Sequence, residues 1–257
     1  VIGVVYREFC PDSRCVREVV RITREDLKYM RNIRVCDTGT ITMAGYSAGS
    51  RNNLMFGWAN NVDSAAGKRI EGRLTSETCN VFALFWNLCK SKLPGVVVKD
   101  FEKFLYGSNI SRMDGGLKAE GGDGLGSYAL EIGGRKFEFS GEELAPPAGV
   151  LAGNYSRAIH RENQPHEYAV GWCLTRDAPI SSGGNFFVSE YGIRIEQEAN
   201  TVIVWKPRHY HGTSLHDVVP RSTDWVATGI CFVTSSKLLG SWEAYQKSQI
   251  NGPELQS

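Results

Sequence analysis

Two histidines, a carboxylate and an arginine in the carboxy-terminal half have types and spacings that suit metal chemistry. His160 and Glu162 are one residue apart, and His211 and Arg221 follow them along the chain. Two histidines and a carboxylate can occupy one face of an octahedral iron(II) and leave three positions open for substrates. The planar guanidinium of Arg221 could bind the remote carboxylate of an acidic co-substrate through paired charge-assisted hydrogen bonds. This pattern predicts a metal site of the oxygenase kind.

The segments that carry these residues are predicted to be short strands. Residues two apart on a strand point to the same side, so an extended segment would direct His160 and Glu162 into one cavity. Strand-sized apolar runs follow at 168–175, 185–188, 201–205 and 225–234, with turn-forming residues between them. Short strands without a helix from about 150 to 235 indicate an antiparallel barrel or jelly roll, with the metal in its mouth.

The amino-terminal half is predicted to mix helices and strands. Helices are expected at 24–33, with Thr23 as the cap, at 78–90 and at 98–105. A strand is expected at 36–46, and Gly133-Gly134 predicts a hairpin between 128–132 and 136–139. The glycine-rich residues 108–126 are interpreted as a loop that could cover the barrel mouth as a lid.

These elements together predict one domain of the α+β class over residues 1–257. Residues 1–149 would form a helical and mixed support region, 150–235 the metal-binding barrel core, and 236–257 a carboxy-terminal tail. The helices of the first half would pack on one sheet of the barrel.

Bulk composition excludes few function classes. The chain is 42% hydrophobic and 22% charged, as in a globular protein with a sizeable core, and its net charge of +1 gives no general attraction to nucleic acid or membranes. Seven cysteines without a CxxC pair favour a reducing compartment, the cytoplasm or the nucleus. No apolar run reaches the ~20 residues of a membrane span, so no membrane partner is expected.

Several motifs resemble the iron(II)- and 2-oxoglutarate-dependent dioxygenases. They are the H-x-E of 160–162, Gly183-Gly184 with the following aromatic residues, His211-Gly212, and the Arg-x-Thr of 221–223. Within that superfamily, His160-Arg161-Glu162 followed by the V-G-W-C-L-T-R of 170–176 is similar to the TET/JBP nucleobase dioxygenases, especially those of fungi. The similarity covers roughly residues 150–235.

This resemblance implies a double-stranded β-helix fold, with iron(II) and 2-oxoglutarate as cofactors. It implies oxidation of a C–H bond, with succinate and carbon dioxide as co-products. Dioxygen and 2-oxoglutarate would then be the small-molecule partners. The substrate could be a nucleobase or a small molecule, so nucleic acid is a partner to be tested.

The resemblance also implies roles for single residues. His160, Glu162 and His211 would be the iron ligands, Arg221 would bind the C5 carboxylate of 2-oxoglutarate, and Thr223 would add a hydroxyl to it. Asn154, just before the first ligand, could reach the co-substrate. Glu162 departs from the pattern because most family members have aspartate there, and its extra methylene moves the carboxylate outward.

Alternative assignments remain open from the sequence. His209 and His216 compete with His211 as the distal ligand, although the following glycine and the end of the preceding strand favour His211. A cupin-like site, independent of 2-oxoglutarate, could use His166 and Glu167 with the other histidines. A third hypothesis is a catalytically silent barrel that binds a metal or ligand without turnover.

Overall fold

The computed structural model describes residues 1–50, 53–59, 61–116, 123–219 and 222–250, and in these ranges the chain has the expected α+β character. In chain order the elements are β1 (Gly3–Tyr6), α1 (Ser13–Tyr29), β2 (Thr38–Ser50), β3 (Asn53–Trp58), α2 (Ala65–Lys68), α3 (Glu71–Lys92), α4 (Gly95–Ser108), β4 (Leu125–Ile132), β5 (Arg135–Glu143), β6 (Ala148–Ser156), β7 (Ala169–Arg176), β8 (Phe186–Val188), β9 (Ile193–Ile195), β10 (Thr201–Trp205), β11 (His211–Thr213), β12 (Ala227–Phe232) and α5 (Ser236–Ile250).

Three antiparallel sheets organise these strands. The large sheet has the order β1-β10-β7-β12-β6-β2-β3, the small sheet has the order β11-β8-β9, and β4 and β5 form a separate hairpin. From β6 onward the chain passes repeatedly between the large and the small sheet, so that the two sheets are built from interleaved strands. This alternation is the topology of a double-stranded β-helix, as predicted.

The large sheet has one face toward the helices and one toward the small sheet. Successive side chains of a strand point to opposite faces, and on β7 Val170 and Leu174 pack in the main core whereas Gly171 and Cys173 line a cavity. On the helix side, Trp172 packs against Phe85 of α3, with ring centroids 5.4 Å apart. The helices of the first half therefore cover one face of the barrel sheet, which confirms the predicted packing.

Helix α1 begins at Ser13, well before the predicted start at residue 24. The side chain of Asp12 caps it by accepting a hydrogen bond of 2.8 Å from the backbone N–H of Arg14. Cys15, Val19 and Ile22 are buried at helical spacing and face the core. The assignment of Thr23 as the cap was wrong, because the many arginines of this stretch obscure its apolar stripe.

Most other predicted elements are present. Helices α3 and α4 include the segments predicted at 78–90 and 98–105, β2 includes most of the strand predicted at 36–46, and β4 and β5 form the predicted hairpin. Residues 236–250, predicted as a tail, form α5, and Trp242 of this helix packs 4.8 Å from the ring of Phe56. The single-domain organisation stays a prediction.

The glycine-rich segment is described only at its two ends, since residues 117–122 lie outside the described part of the chain. Gly116 lies against Trp58, and Gly124 lies against the guanidinium of Arg112. None of the described residues of 108–126 lines the cavity, so a lid stays a prediction. In the ranges that the structure describes, no helix combines the length and the apolar character needed to cross a membrane.

Candidate active site

A cavity of about 510 Å³ lies between the large sheet and the small sheet. Its floor is the inner face of the large sheet, where Cys173 and Cys231 point inward, and Phe186 of the small sheet faces them. His160, Glu162 and His211 all line this cavity. The three residues that the sequence predicts as metal ligands therefore meet in one place.

Backbone pairing holds the two histidines side by side. His160 and His211 form an isolated antiparallel bridge, in which the N–H of His160 donates to the carbonyl of His211 at 2.8 Å and the reverse bond is 2.9 Å. The N–H of Glu162 donates to the carbonyl of Pro207 at 2.7 Å. The expected strand around His160 is thus reduced to one bridge.

Gly212 makes this pairing sterically feasible. A Cβ at this position would lie 2.9 Å from Cδ1 of Ile159 and 3.0 Å from the carbonyl oxygen of Arg157. A larger residue would require the side chain of Ile159 to move and the carbonyl of Arg157 to shift by a few tenths of an ångström. The His-Gly motif has a structural cause: the glycine lets the segment that carries His160 approach β11.

The two imidazoles present their Nε2 atoms as potential metal ligands. Nδ1 of His160 lies 2.8 Å from the carbonyl oxygen of Ala158, and Nδ1 of His211 lies 2.8 Å from that of His209. A carbonyl only accepts, so each Nδ1 carries the proton and each Nε2 keeps its lone pair when the ring is neutral. The ring centroids are 4.4 Å apart. Burial lowers the pKa of His211 and favours this neutral form.

Glu162 is the negative charge of the cavity, and two groups stabilise it. Its Oε1 lies 3.3 Å from Nε2 of His160 and accepts a hydrogen bond from the guanidinium of Arg157. Burial alone would raise the pKa of Glu162, but a protonated His160, which donates from Nε2 and adds its positive charge, and the charge of Arg157 hold it at about 2. When the ring of His160 is neutral with its proton on Nδ1, the donor to this carboxylate is Arg157. Arg157 is itself 3.8 Å from Asp37, which accepts a 2.5 Å hydrogen bond from the hydroxyl of Tyr155.

The donor set fits a divalent transition metal, although its members are not assembled around one point. Two neutral imidazoles with backbone-fixed orientation and one ionised carboxylate are what an iron(II) site of this type needs. Within 1–50, 53–59, 61–116, 123–219 and 222–250, no three His, Cys, Asp or Glu side chains stand in a metal-holding arrangement. In this arrangement Arg157 engages the carboxylate of Glu162, so metal binding would require that carboxylate to turn or to share its charge.

The residues predicted to bind the co-substrate have different locations. Arg221 lies outside the described residues. Thr223 is exposed and lines a surface groove beside α1 together with Trp225, and it is not part of the cavity lining. Asn154 is buried, and its amide group bonds to the backbone, donating to Asp224 and accepting from Ala227, each at 3.0 Å. The roles of these three residues in binding 2-oxoglutarate stay predictions.

The rival histidines lie apart from His160. His209 pairs with Glu190 at 3.1 Å, and His216 accepts a 3.3 Å hydrogen bond from Arg176 at another part of the cavity wall. His166 is buried against the ring of Phe101. Among these, the structure places only His211 beside His160.

The carboxylate of the cupin-like alternative is also remote. Glu167 is exposed and forms a 2.6 Å ion pair with Lys206. Neither His166 nor Glu167 lines the cavity. The structure does not bring this pair together with His160 and His211.

Sequence reasoning missed three arginines of the cavity wall, Arg34, Arg157 and Arg176. Arg176 closes the V-G-W-C-L-T-R motif, so its position was visible in the sequence, but nothing in that motif says which way its side chain points. Five buried polar atoms of the cavity lining have no hydrogen-bond partner among the described residues: Nε2 of Gln164, Nε of Arg176, Oε1 of Gln197, Nε1 of Trp205 and Oγ1 of Thr234. Buried polar atoms are usually paired, so the cavity has the character of a ligand site.

Comparison with known proteins gives a likeness of structure without a likeness of sequence. The sequence matches no protein-family model and no curated protein. Among solved structures, the chain is similar to NgTET1 in complex with 5mC DNA, with a TM-score of 0.51 and 10% identity over 96% of this chain and 81% of that one.

Two further solved structures also match. One is a prolyl-4-hydroxylase from Pseudomonas putida, with a TM-score of 0.42 and 10% identity over 91% of this chain and 92% of that one. The other is SnoN, a non-haem alpha-ketoglutarate-dependent epimerase from nogalamycin biosynthesis, with a TM-score of 0.39 and 12% identity over 90% of this chain and 77% of that one. The likeness to NgTET1 supports the double-stranded β-helix fold that the strand order of this chain shows.

Proposed function

We propose that the protein is an oxygenase that uses iron(II) and 2-oxoglutarate to oxidise a C–H bond of a second substrate. The observation that carries this proposal is the meeting of His160, Glu162 and His211 in one cavity between the two sheets. Bound iron(II) would supply the activation of dioxygen, so that substrate, 2-oxoglutarate and dioxygen yield hydroxylated substrate, succinate and carbon dioxide.

The residues of this chain would hold and shield that reaction. The Nε2 atoms of His160 and His211 would bind the metal while the carbonyls on the other ring nitrogens keep both rings in place. Glu162 would add one negative charge, and Arg157 would orient it. Phe186 and Trp205 beside His211 limit the access of water to this side of the site. For the remote carboxylate of 2-oxoglutarate, the family pattern offers Arg221 with Thr223, and Asn154 nearby.

Metal binding separates this ligand set from the cupin-like set. Glu162→Ala is expected to weaken iron(II) or manganese(II) binding, measured by calorimetry under anaerobic conditions, because it removes the anionic ligand. Glu167→Ala is the matched control, since that carboxylate is exposed and pairs with Lys206. Loss of metal from Glu167→Ala, with normal binding by Glu162→Ala, would refute the assignment.

Turnover is tested by succinate formation. The protein with iron(II), ascorbate and 2-oxoglutarate in air is expected to form succinate, and Glu162→Ala is expected to form none above background. The same assay with a panel of nucleosides, oligonucleotides and small molecules would reveal the second substrate, because a true substrate raises succinate formation.

A binding module without turnover is the second candidate function. The observation that favours it is the glutamate at position 162, whose carboxylate is engaged by Arg157 rather than arranged with both histidines around one point. Tight binding of metal and 2-oxoglutarate with no succinate from any substrate panel would support this candidate.

The substrate is proposed to be a nucleobase or a small molecule. The nucleobase proposal is supported by the TET/JBP-like motif and by the similarity in fold to NgTET1. Binding of single- or double-stranded DNA or RNA should then weaken steeply with salt, because phosphate contacts release counterions. Absent or salt-insensitive binding would leave small molecules as the substrate class.

A further inference from the structure

The inner face of the large sheet carries an apolar floor that extends beyond the metal-ligand set. Its first row consists of Gly171, Cys231, Val150 and Met43, which are paired in register across β7, β12, β6 and β2. All four residues line the cavity and none is charged. Neighbouring strands of a sheet lie about 4.8 Å apart, so the three steps make this row roughly 14 Å long.

A second row of the floor runs beside the first. It consists of Cys173, Gly229, Ala152 and Ile41, which are paired across the same four strands and also line the cavity. Residues two apart on a strand share a face, so the two rows are roughly 7 Å apart. The floor is therefore longer than it is wide, and its small residues leave room above it.

The floor is accessible, unlike the opposite face of the same strands. Except for Ile41, the residues of the two rows are half-buried, whereas Leu151 and Trp172 on the helix side are buried. Covering apolar surface that faces an open cavity is favourable, and exposed apolar surface of this kind marks ligand-binding grooves. The floor thus has the character of a contact surface for an apolar molecule.

One end of the floor lies at the metal-ligand set. A Cβ at Gly171 would lie 3.3 Å from the indole ring of Trp205, and that ring has its centroid 5.7 Å from the centroid of His211. Burial and the charge of Glu162 raise the pKa of Cys231, so this carboxylate acts on the same row. A molecule on the floor would therefore have its β7 end at the proposed iron ligands.

The other end of the floor has an arginine without an acidic partner. The N–H of Ile33 donates to the carbonyl of Ile41 at 2.9 Å, which places the turn before β2 beside the floor. Ile33 and Arg34 both line the cavity. Asp37 of the same turn pairs with Arg157 instead, and no carboxylate in the described ranges forms an ion pair with Arg34. An anionic group at the β2 end would complement this charge.

We infer that the floor binds the second substrate, and that this substrate is an unbranched apolar carboxylic acid whose carboxylate contacts Arg34. The inference rests on the proposed function and narrows its substrate to this class of small molecule. A nucleobase fits less well, because its donors and acceptors would be buried on a floor whose only polar side-chain groups are thiols.

The length of the floor sets the length of the acid. From Met43 the floor extends roughly 10 Å to Cys231 and roughly 14 Å to Gly171, at about 4.8 Å per strand. An extended chain advances about 1.2 Å per bond, so about eight to twelve bonds cover this distance. Acids of about nine to thirteen carbon atoms would therefore fill the floor.

The two ends also set which C–H bond is oxidised. With the carboxylate at Arg34, the carbon atoms at the metal end are those remote from the carboxylate. Acid, 2-oxoglutarate and dioxygen would give hydroxy acid, succinate and carbon dioxide, with one oxygen atom of dioxygen in the new hydroxyl and the other in succinate. The expected product is an acid hydroxylated in the distal half of its chain.

A series of acids tests the fit to the floor. Saturated acids from hexanoate to tetradecanoate are titrated into the protein below their micelle concentrations, and binding is followed by calorimetry. Affinity should rise about 3- to 4-fold per added CH₂, because each one buries apolar surface, and should level off at about nine to thirteen carbon atoms. Binding of no acid, or affinity that is independent of chain length, would overturn the inference.

Arg34→Gln tests the carboxylate end. It should weaken decanoate about 10-fold, since a charge-assisted contact is lost, and should leave decanol, which has no carboxylate, unchanged. Arg31→Gln is the matched control, because Arg31 is exposed and outside the cavity lining. Unchanged decanoate binding by Arg34→Gln, or an equal loss of decanol, would refute the role of Arg34.

Ala152→Phe tests the floor itself. The ring would fill the middle of the second row and should abolish decanoate binding, whereas Ala152→Gly should keep it. Melting temperatures without ligand show whether both variants fold, and the chain-length series on the parent protein decides the question if Ala152→Phe does not. Normal decanoate binding by folded Ala152→Phe would place the acid elsewhere and overturn the inference.

Turnover separates the inference from the proposed function. With iron(II), ascorbate and 2-oxoglutarate in air, decanoate should raise succinate formation and give a distally hydroxylated acid, located by fragmentation in mass spectrometry. Succinate formation that responds to another substrate but to no acid would overturn the inference alone. A protein that binds the acids but neither iron(II) nor manganese(II) would refute the proposed function and leave the floor as a binding site without a reaction.

Discussion

Asp26 is a buried carboxyl group whose unfavourable ionisation should make the protein less stable as the pH rises. It lies on α1 with no solvent exposure, and its Oδ2 is 2.7 Å from the hydroxyl of Thr78. The same hydroxyl lies 2.7 Å from the carbonyl of Leu74 and has only one proton to donate. Both contacts are satisfied when Asp26 is protonated and donates to Thr78. Burial raises the pKa of Asp26 from 3.8 to about 8.

The sign and size of the effect follow from these two pKa values. The folded state holds the proton up to about pH 8, whereas the unfolded chain releases it near 3.8. Each pH unit between these values lowers the free energy of unfolding by about 1.4 kcal/mol. At pH 7 the ionisable group therefore costs roughly 4 kcal/mol relative to a neutral isostere. Asp26→Asn supplies that isostere.

The free energy of unfolding in urea, measured from about pH 4 to pH 8 for both proteins, tests this reasoning. The difference between Asp26→Asn and the parent should be small near pH 4 and grow to about 4 kcal/mol at pH 7. Asp63→Asn is the matched control, because Asp63 is exposed, and its curve should stay parallel to that of the parent. A parallel curve for Asp26→Asn would show that Asp26 is ionised in the folded protein.

Three further changes have outcomes that the structure specifies. Gly184→Ala should lower stability more than Gly192→Ala, because both glycines have a φ of +66° but only the first faces the imidazole of His216. Equal melting temperatures of the two variants would contradict this. Burial lowers the pKa of His166 to about 4, so the free energy of unfolding should fall by roughly 3 kcal/mol in total as the pH drops from about 6.5 to 4. His166→Gln should remove this pH dependence in acid unfolding curves. Asn154→Ala should destabilise the protein by about 1–3 kcal/mol. The backbone amide of Ala227, which donates to the Asn154 side chain, should then exchange its hydrogen faster. An unchanged exchange rate would show that the Asn154 side chain does not protect this amide.

The sequence by itself determined the barrel and the identity of the candidate ligands. Period-two alternation and turn residues are local signals, so β7, β10 and the β4–β5 hairpin could be predicted where they occur. The spacing of His160 and Glu162, with a histidine followed by glycine at 211, was enough to predict a shared cavity. Helix α1 was misplaced because its arginines obscure the apolar stripe that only packing against the sheet makes evident.

Only the tertiary structure decided which charged groups meet. The choice among His209, His211 and His216 depends on a backbone bridge between segments about fifty residues apart in sequence, and no local pattern encodes that pairing. The contact of Arg157 with Glu162 and the presence of Arg176 in the cavity wall likewise depend on strand register, which for β7 includes a bulge at Leu174 opposite β12. Local sequence sets which residues can form a strand, whereas the pairing of distant strands sets which side chains face one another across the cavity.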